Sequence, residues 1–150
     1  MRIKIQGKHK QVHAKVMRSA LQWYARDLMP QLTTDIAIEL NIVDNLVRDE
    51  RMDAAVTWLE DPVKPRKFVM ELDAGLNLER TLEMLAHEMV HVKQFATGEL
   101  VDNPGGKTVK WMGKRVSVRD DDGYWTLPWE IEAYGRQPGL YARFCRHKGI

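Results

Sequence analysis

The 150 residues, 44% of them hydrophobic, are the size of one ordinary domain and suffice for a single packed core. A formal net charge of +2 is too mild to mark a nucleic-acid binder, and a lone cysteine excludes both an intramolecular disulfide and a cysteine-built zinc cage. No window approaches the roughly 18 apolar residues of a membrane span, and the start Met1-Arg2-Ile3-Lys4-Ile5-Gln6-Gly7 lacks the apolar stretch of a secretory signal, so the expectation is a cytoplasmic chain with no membrane partner.

After a short alternating start at Ile3 and Ile5, residues 10 to 29 carry Val12, Val16, Ala20, Trp23 and Tyr24 at helical spacing, which predicts a first helix ending at Pro30. Three apolar runs follow, at 34 to 43, 54 to 60 and 67 to 72, and read as strands of one sheet. The second and third, joined by a proline-bearing loop, read as a hairpin, while the first has some helical propensity. Leu78, Leu82, Leu85, Met89, Val92 and Ala96 then predict a long amphipathic helix, with Asn77 as N-cap and Gly98 as C-cap. Residues 99 to 126 are rich in Gly, Lys and Asp and predict an excursion containing a small hairpin, with a turn at Asp120-Asp121-Asp122-Gly123. From Pro128 a helix is expected, broken at Pro138-Gly139 before a short helical piece reaching about His147. The fold class is therefore α+β in one domain over residues 1 to 150, with helices around a mixed sheet of three to four strands.

The chemistry concentrates in His87-Glu88-Met89-Val90-His91. Positions four apart on a helix lie one turn apart on one face, so His87 and His91 can direct ring nitrogens to a single ion. Glu88 points roughly 100° further round and sits beside such an ion, where it can take a proton from an activated water as general base. A catalytic zinc site usually has three protein ligands and an open position. Two carboxylates downstream, Glu130 and Glu132, compete for the third place. Glu132 stands four residues before Arg136, the spacing of an ordinary exposed ion pair. Glu130 shares a half-apolar face with Ala133, Tyr134, Gln137 and Tyr141, where a carboxylate needs a partner, so Glu130 is preferred and Glu132 is the alternative. Tyr134, one turn beyond Glu130, is a candidate electrophilic helper, although tyrosines at this spacing more often serve a core.

The motif, followed some forty residues later by Pro128-Trp129-Glu130-Ile131-Glu132-Ala133, resembles the minimal zincins: the SprT-like and phage-encoded zinc metallopeptidases, and more distantly the zincins whose glutamate ligand lies in a Glu-x-x-Ala helix. The resemblance covers most of residues 10 to 147. SprT itself tends to bring a third histidine, and none follows His91 here until His147, so the likeness is to the glutamate variety. It implies a zinc-dependent peptidase acting on a protein or peptide substrate, with Glu130 as the first glutamate of the Glu-x-x-Ala pattern. It also implies an edge strand before the motif helix, placed at residues 67 to 72, along which an extended peptide pairs, although alternation alone fits an ordinary core strand equally well. Were the chain phage-encoded, its compartment would be the host cytoplasm. Other readings of the same motif are a non-catalytic, zinc-stabilised binding module attached to DNA or a virion, and a zinc hydrolase of a non-peptide substrate.

Three lesser features have plainer readings. Lys107, Lys110, Lys114, Arg115 and Arg119 with Trp111 form a candidate nucleic-acid patch that Asp120 to Asp122 dilute, and a solvated hairpin accounts for it. His9 and His13, also four apart, sit among Lys8, Lys10 and Lys15 and read as a solvated basic face of the first helix. Cys145 has no activating neighbours in sequence and reads as a buried or incidental thiol.

Overall fold

Strict alternation in three segments sets one face of a sheet against a core. In the computed structural model, which describes residues 1–102, 108–118 and 123–150, Ile38 and Leu40 of β2 (Ala37–Val43) and Phe68, Met70 and Leu72 of β4 (Lys67–Asp73) are all buried, and Ile3 and Ile5 of β1 (Arg2–Gln6) partly so. With β3 (Ala54–Leu59) these strands form a mixed sheet in the order β1-β2-β4-β3. β1 and β4 run parallel to β2, placing Ile3 and Phe68 beside Ile38 and Ile5 and Met70 beside Leu40; β3 runs antiparallel to β4.

The order corrects one expectation. Residues 67 to 72 are not an edge: β4 is bonded to β2 on one side and β3 on the other, so a peptide cannot add there without displacing a strand. The free edge on that side of the sheet belongs to β3. β4 turns Phe68, Met70 and Leu72 to the core side of the sheet.

The first helix, α1 (Ala14–Leu28), begins four residues later than its apolar spacing predicts, because the chain before it is held otherwise. Lys10 N–H donates to the Ala74 carbonyl, and His13 is the N-cap, its side chain accepting from Lys15 N–H. After β2 a single short helical turn, α2 (Leu46–Glu50), leads into β3. The motif helix is α3 (Leu78–Ala96), opened as expected by Asn77, which accepts from Arg80 N–H at 2.8 Å, and followed by Gly98 at φ +78°. It lies between the sheet, α1 and the last helix, so its buried residues reach almost all the way round it. The Tyr24 hydroxyl ties α1 to it by donating to the Leu82 carbonyl at 3.0 Å.

The excursion contains a second, antiparallel sheet in the order β5-β6-β7, from β5 (Leu100–Asp102), β6 (Thr108–Trp111) and β7 (Lys114–Ser117). Met112 and Gly113, at φ +50° and +81°, make the two-residue turn of the β6–β7 hairpin, a conformation that matches strand twist. Lys110, Lys114 and Arg115 lie on this hairpin; Lys107, Arg119 and Asp120 to Asp122 lie outside the described residues. A 3-10 turn at Tyr124–Thr126 leads to α4 (Pro128–Lys148). Here the expected break at Pro138-Gly139 does not occur, and α4 runs through it. Proline inside a helix costs about 3 kcal/mol, whereas burying Leu140 and Phe144 beyond it recovers about 1.5–3 kcal/mol each, and Pro138 itself is on the exposed side. Packing of the far half wins. No helix of the described residues is long and apolar enough to cross a membrane.

Candidate metal centre

His87 and His91 come one turn apart on α3, and the first turn of α4 brings Glu130 against them. All three are buried. His87 Nε2 is 3.2 Å from His91 Nε2, Glu130 Oε2 is 3.3 Å from His87 Nε2, and Glu130 Oε1 is 3.1 Å from His91 Nε2. Ligands about 2.0–2.2 Å from a tetrahedral ion stand roughly 3.3–3.5 Å from one another, so the three atoms are spaced almost as they would be around one.

The second nitrogens of the rings say more. His91 Nδ1 is 2.8 Å from Gln94 Oε1, and His87 Nδ1 is 3.0 Å from Gln137 Oε1. An amide oxygen only accepts, so with the two amides in these orientations each Nδ1 carries a proton, and a neutral ring then offers only a lone pair at Nε2. Three lone-pair donors therefore face each other in a buried space, a repulsive arrangement unless a cation or an extra proton sits among them. The proton affinities show the same pull. Burial pushes the His91 imidazole down, but the nearby Glu130 and Glu88 carboxylates outweigh it and its pKa is raised. Burial works upward on Glu130, but the two imidazoles hold its carboxyl down at about 2. Electrostatics that draw a proton here draw a metal ion equally. This buried His87, His91 and Glu130 group can hold one.

Glu88 is buried beside the group, close enough for its carboxylate to interact with His87, His91 and Glu130. Desolvation raises its pKa. Glu132 lies apart from the cluster. It accepts from Lys93 at 2.7 Å, from Arg136 at 2.9 Å as the spacing predicts, and from Gln94 Nε2 at 2.9 Å. The Tyr134 ring packs edge-on against His87 with centroids 4.4 Å apart, and its hydroxyl is 3.4 Å from that of Tyr124.

Three residues escaped the sequence. The Tyr124 hydroxyl donates to Glu130 Oε2 at 3.0 Å, nearer the cluster than Tyr134; the only signal was a Tyr-Trp pair just before a Pro-initiated helix. Gln94 stands three residues after His91 on the same helix and Gln137 two turns after Glu130 on α4, positions that a search for ring partners on the ligand faces would find. Against the other expected histidine pair the structure is unambiguous: neither His9 nor His13 is on a helix, and they do not form a basic face. His9 is buried, its Nδ1 accepting from Gln11 and Val12 N–H and its Nε2 meeting Thr81 Oγ1 at 3.0 Å.

A cleft of about 380 Å³ opens beside His91 and Glu130, walled by Val56 of β3, by Leu100, Asp102 and Val109 of the second sheet, and by Trp129 of α4. The indole of Trp58 on β3 donates to Asp102 Oδ2 at 3.2 Å across one end of it. No protein-family model, no curated protein and no solved structure matches this chain.

Proposed function

We propose that this protein is a zinc-dependent peptidase of the minimal zincin type, with His87, His91 and Glu130 as ligands and Glu88 as general base. The observation that carries the reading is the combination of a buried three-donor group with a fourth buried carboxylate, Glu88, close enough to interact with all three. A site that only held the fold together would have no use for the fourth group. Two imidazoles and a carboxylate, with no sulfur, are a donor set that catalytic zinc takes.

Zinc bound there supplies a Lewis acid that polarises the scissile carbonyl and lowers the pKa of water toward about 7. Glu88 takes the proton of the attacking water and delivers it to the departing amine. Desolvation favours this by raising its pKa above that of a free carboxylate, which makes it a stronger base. The Tyr134 hydroxyl, 3.4 Å from that of Tyr124 on the Glu130 side, is a donor for the oxygen of the carbonyl under attack. The cleft reaching from His91 to β3 takes the extended substrate, which pairs with the free β3 edge rather than with residues 67 to 72.

Metal analysis by mass spectrometry tests this directly. One zinc per wild-type chain, absent from His87→Ala and Glu130→Ala, is the expected result; a folded wild type that takes up no zinc when zinc is supplied overturns the reading. Glu88→Gln is expected to keep its zinc and lose about 10²- to 10⁴-fold in the rate of peptide cleavage. Equal cleavage by that variant removes Glu88 from the role of base.

A further inference from the structure

Gln94 holds its place by rules of hydrogen-bond polarity that reach beyond the metal group. An amide side chain can be turned over, exchanging its oxygen and nitrogen, unless its neighbours allow only one orientation. The Gln94 nitrogen faces two groups that can only accept: the Trp129 carbonyl at 2.9 Å and Glu132 Oε1 at 2.9 Å. Turned over, Gln94 would set its oxygen against both and its N–H₂ against His91 Nδ1. Glu132 cannot move aside to relieve this, because its other oxygen is held at 2.7 Å by Lys93 Nζ and at 2.9 Å by Arg136 Nε. His87 is held less firmly. Its partner Gln137 has no acceptor set against its amide nitrogen among the described residues.

We infer that Glu132 is a positioning residue for the metal centre: together with the Trp129 carbonyl it fixes the orientation of the Gln94 amide, which keeps the His91 proton on Nδ1 and the Nε2 lone pair turned toward His87 and Glu130. The inference rests on the proposed metal site for its purpose but not for its geometry. It gives the second glutamate of the Glu-x-Glu pair a task other than ligation and other than surface charge. The chain Glu132, Gln94, His91 runs from the α4 surface to the cluster in two hydrogen bonds, each with only one permitted polarity.

The test has one reading on the protein alone and one with zinc. In ¹H–¹⁵N spectra of the protein without added metal, the His91 Nδ1–H should be protected from exchange in wild type and in Arg136→Ala, which loses an ion pair but keeps the Glu132–Gln94 bond. In Glu132→Ala, where only the Trp129 carbonyl still holds the Gln94 nitrogen, it should exchange measurably faster than in wild type. Zinc affinity, measured by competition with a coloured chelator, should fall about tenfold to a hundredfold in Glu132→Ala and in Gln94→Ala. The double variant should bind no more weakly than Gln94→Ala, because Glu132 acts only through Gln94. Additive losses, or a His91 proton as protected in Glu132→Ala as in wild type, would overturn the inference. Should Glu132→Ala fold poorly, Glu132→Gln serves: Lys93 and Arg136 claim its oxygen, its N–H₂ then faces Gln94, and the same loss of protection is expected, with unchanged protection counting against the proposal. A wild type that binds no zinc but keeps a protected His91 proton would sink the proposed function and leave the positioning intact.

Discussion

Two pairs of histidines in this chain have the same spacing, and the structure treats them in opposite ways. His87 and His91 stand on a continuous helix, and their Nε2 atoms are 3.2 Å apart with a carboxylate against both. His9 and His13 lie before a helix rather than in it. Each accepts backbone N–H groups at Nδ1 and so ends a turn: His9 from Gln11 and Val12, His13 from Lys15. Spacing of four brings two rings together only where the backbone between them is helical, and an imidazole that accepts from its own backbone helps keep that backbone from being so. In the first pair Nδ1 is a donor and Nε2 an acceptor; in His9 the roles are reversed, with Nε2–H given to Thr81.

The comparison breaks most easily at the metal. His91→Ala should lower zinc affinity by more than about a hundredfold, beyond what loss of an outer partner costs, whereas His13→Ala should leave it unchanged. An equal loss in both would mean that the His9–His13 pair contributes to binding after all, and isothermal titration with zinc reads it. Stability gives the next largest effect. His9→Leu strands two backbone donors and the Thr81 hydroxyl in a buried turn, an expected loss of about 1–3 kcal/mol for each group left unsatisfied, read from urea unfolding.

Acid sharpens the same contrast. Burial holds the His9 imidazole below its ordinary 6.5, so a proton binds the unfolded chain more readily than the folded one. The contribution of a neutral His9 is therefore complete above the unfolded value and is lost as the pH falls through it toward the folded one. Comparing unfolding midpoints at about pH 7.5 and about pH 5, wild type should lose more stability than His9→Gln, which has no such proton to take up. A parallel fall in the two would show that His9 does not titrate on unfolding. The smallest effect is that of His13→Ala, where an exposed cap is lost: about 1 kcal/mol or less by the same unfolding measurement.

Local pattern made much of this molecule legible. The motif helix, its Asn77 cap and the hairpin of β3 with β4 follow from spacing and turn chemistry, because each depends on residues near one another in the chain. What could not be read depends on contacts made far along the chain. That β4 is interior requires β2 to pair with it across the whole of β3, and alternation is the same in an edge strand and a middle one. That α4 survives Pro138 depends on how deeply Leu140 and Phe144 are buried against other elements. At the site, the ligand types were visible in the motif. The choice between Glu130 and Glu132 turned on which face of α4 meets α3, and the amides that orient the two rings carry no sequence signature.

The placement of the three donor groups has one more consequence. His91 and Glu130 lie on different helices, and the chain between them holds the whole second sheet. An ion bonded to both closes that stretch into a ring, much as a disulfide would, and a ring of some forty residues restricts the unfolded chain by about 4 kcal/mol in loop-entropy terms. A chelator strong enough to strip the site should therefore lower the melting temperature. This chain has a lone cysteine and cannot form an internal disulfide, so the metal centre would be its removable cross-link, fastened or released by the metal supply rather than by redox conditions.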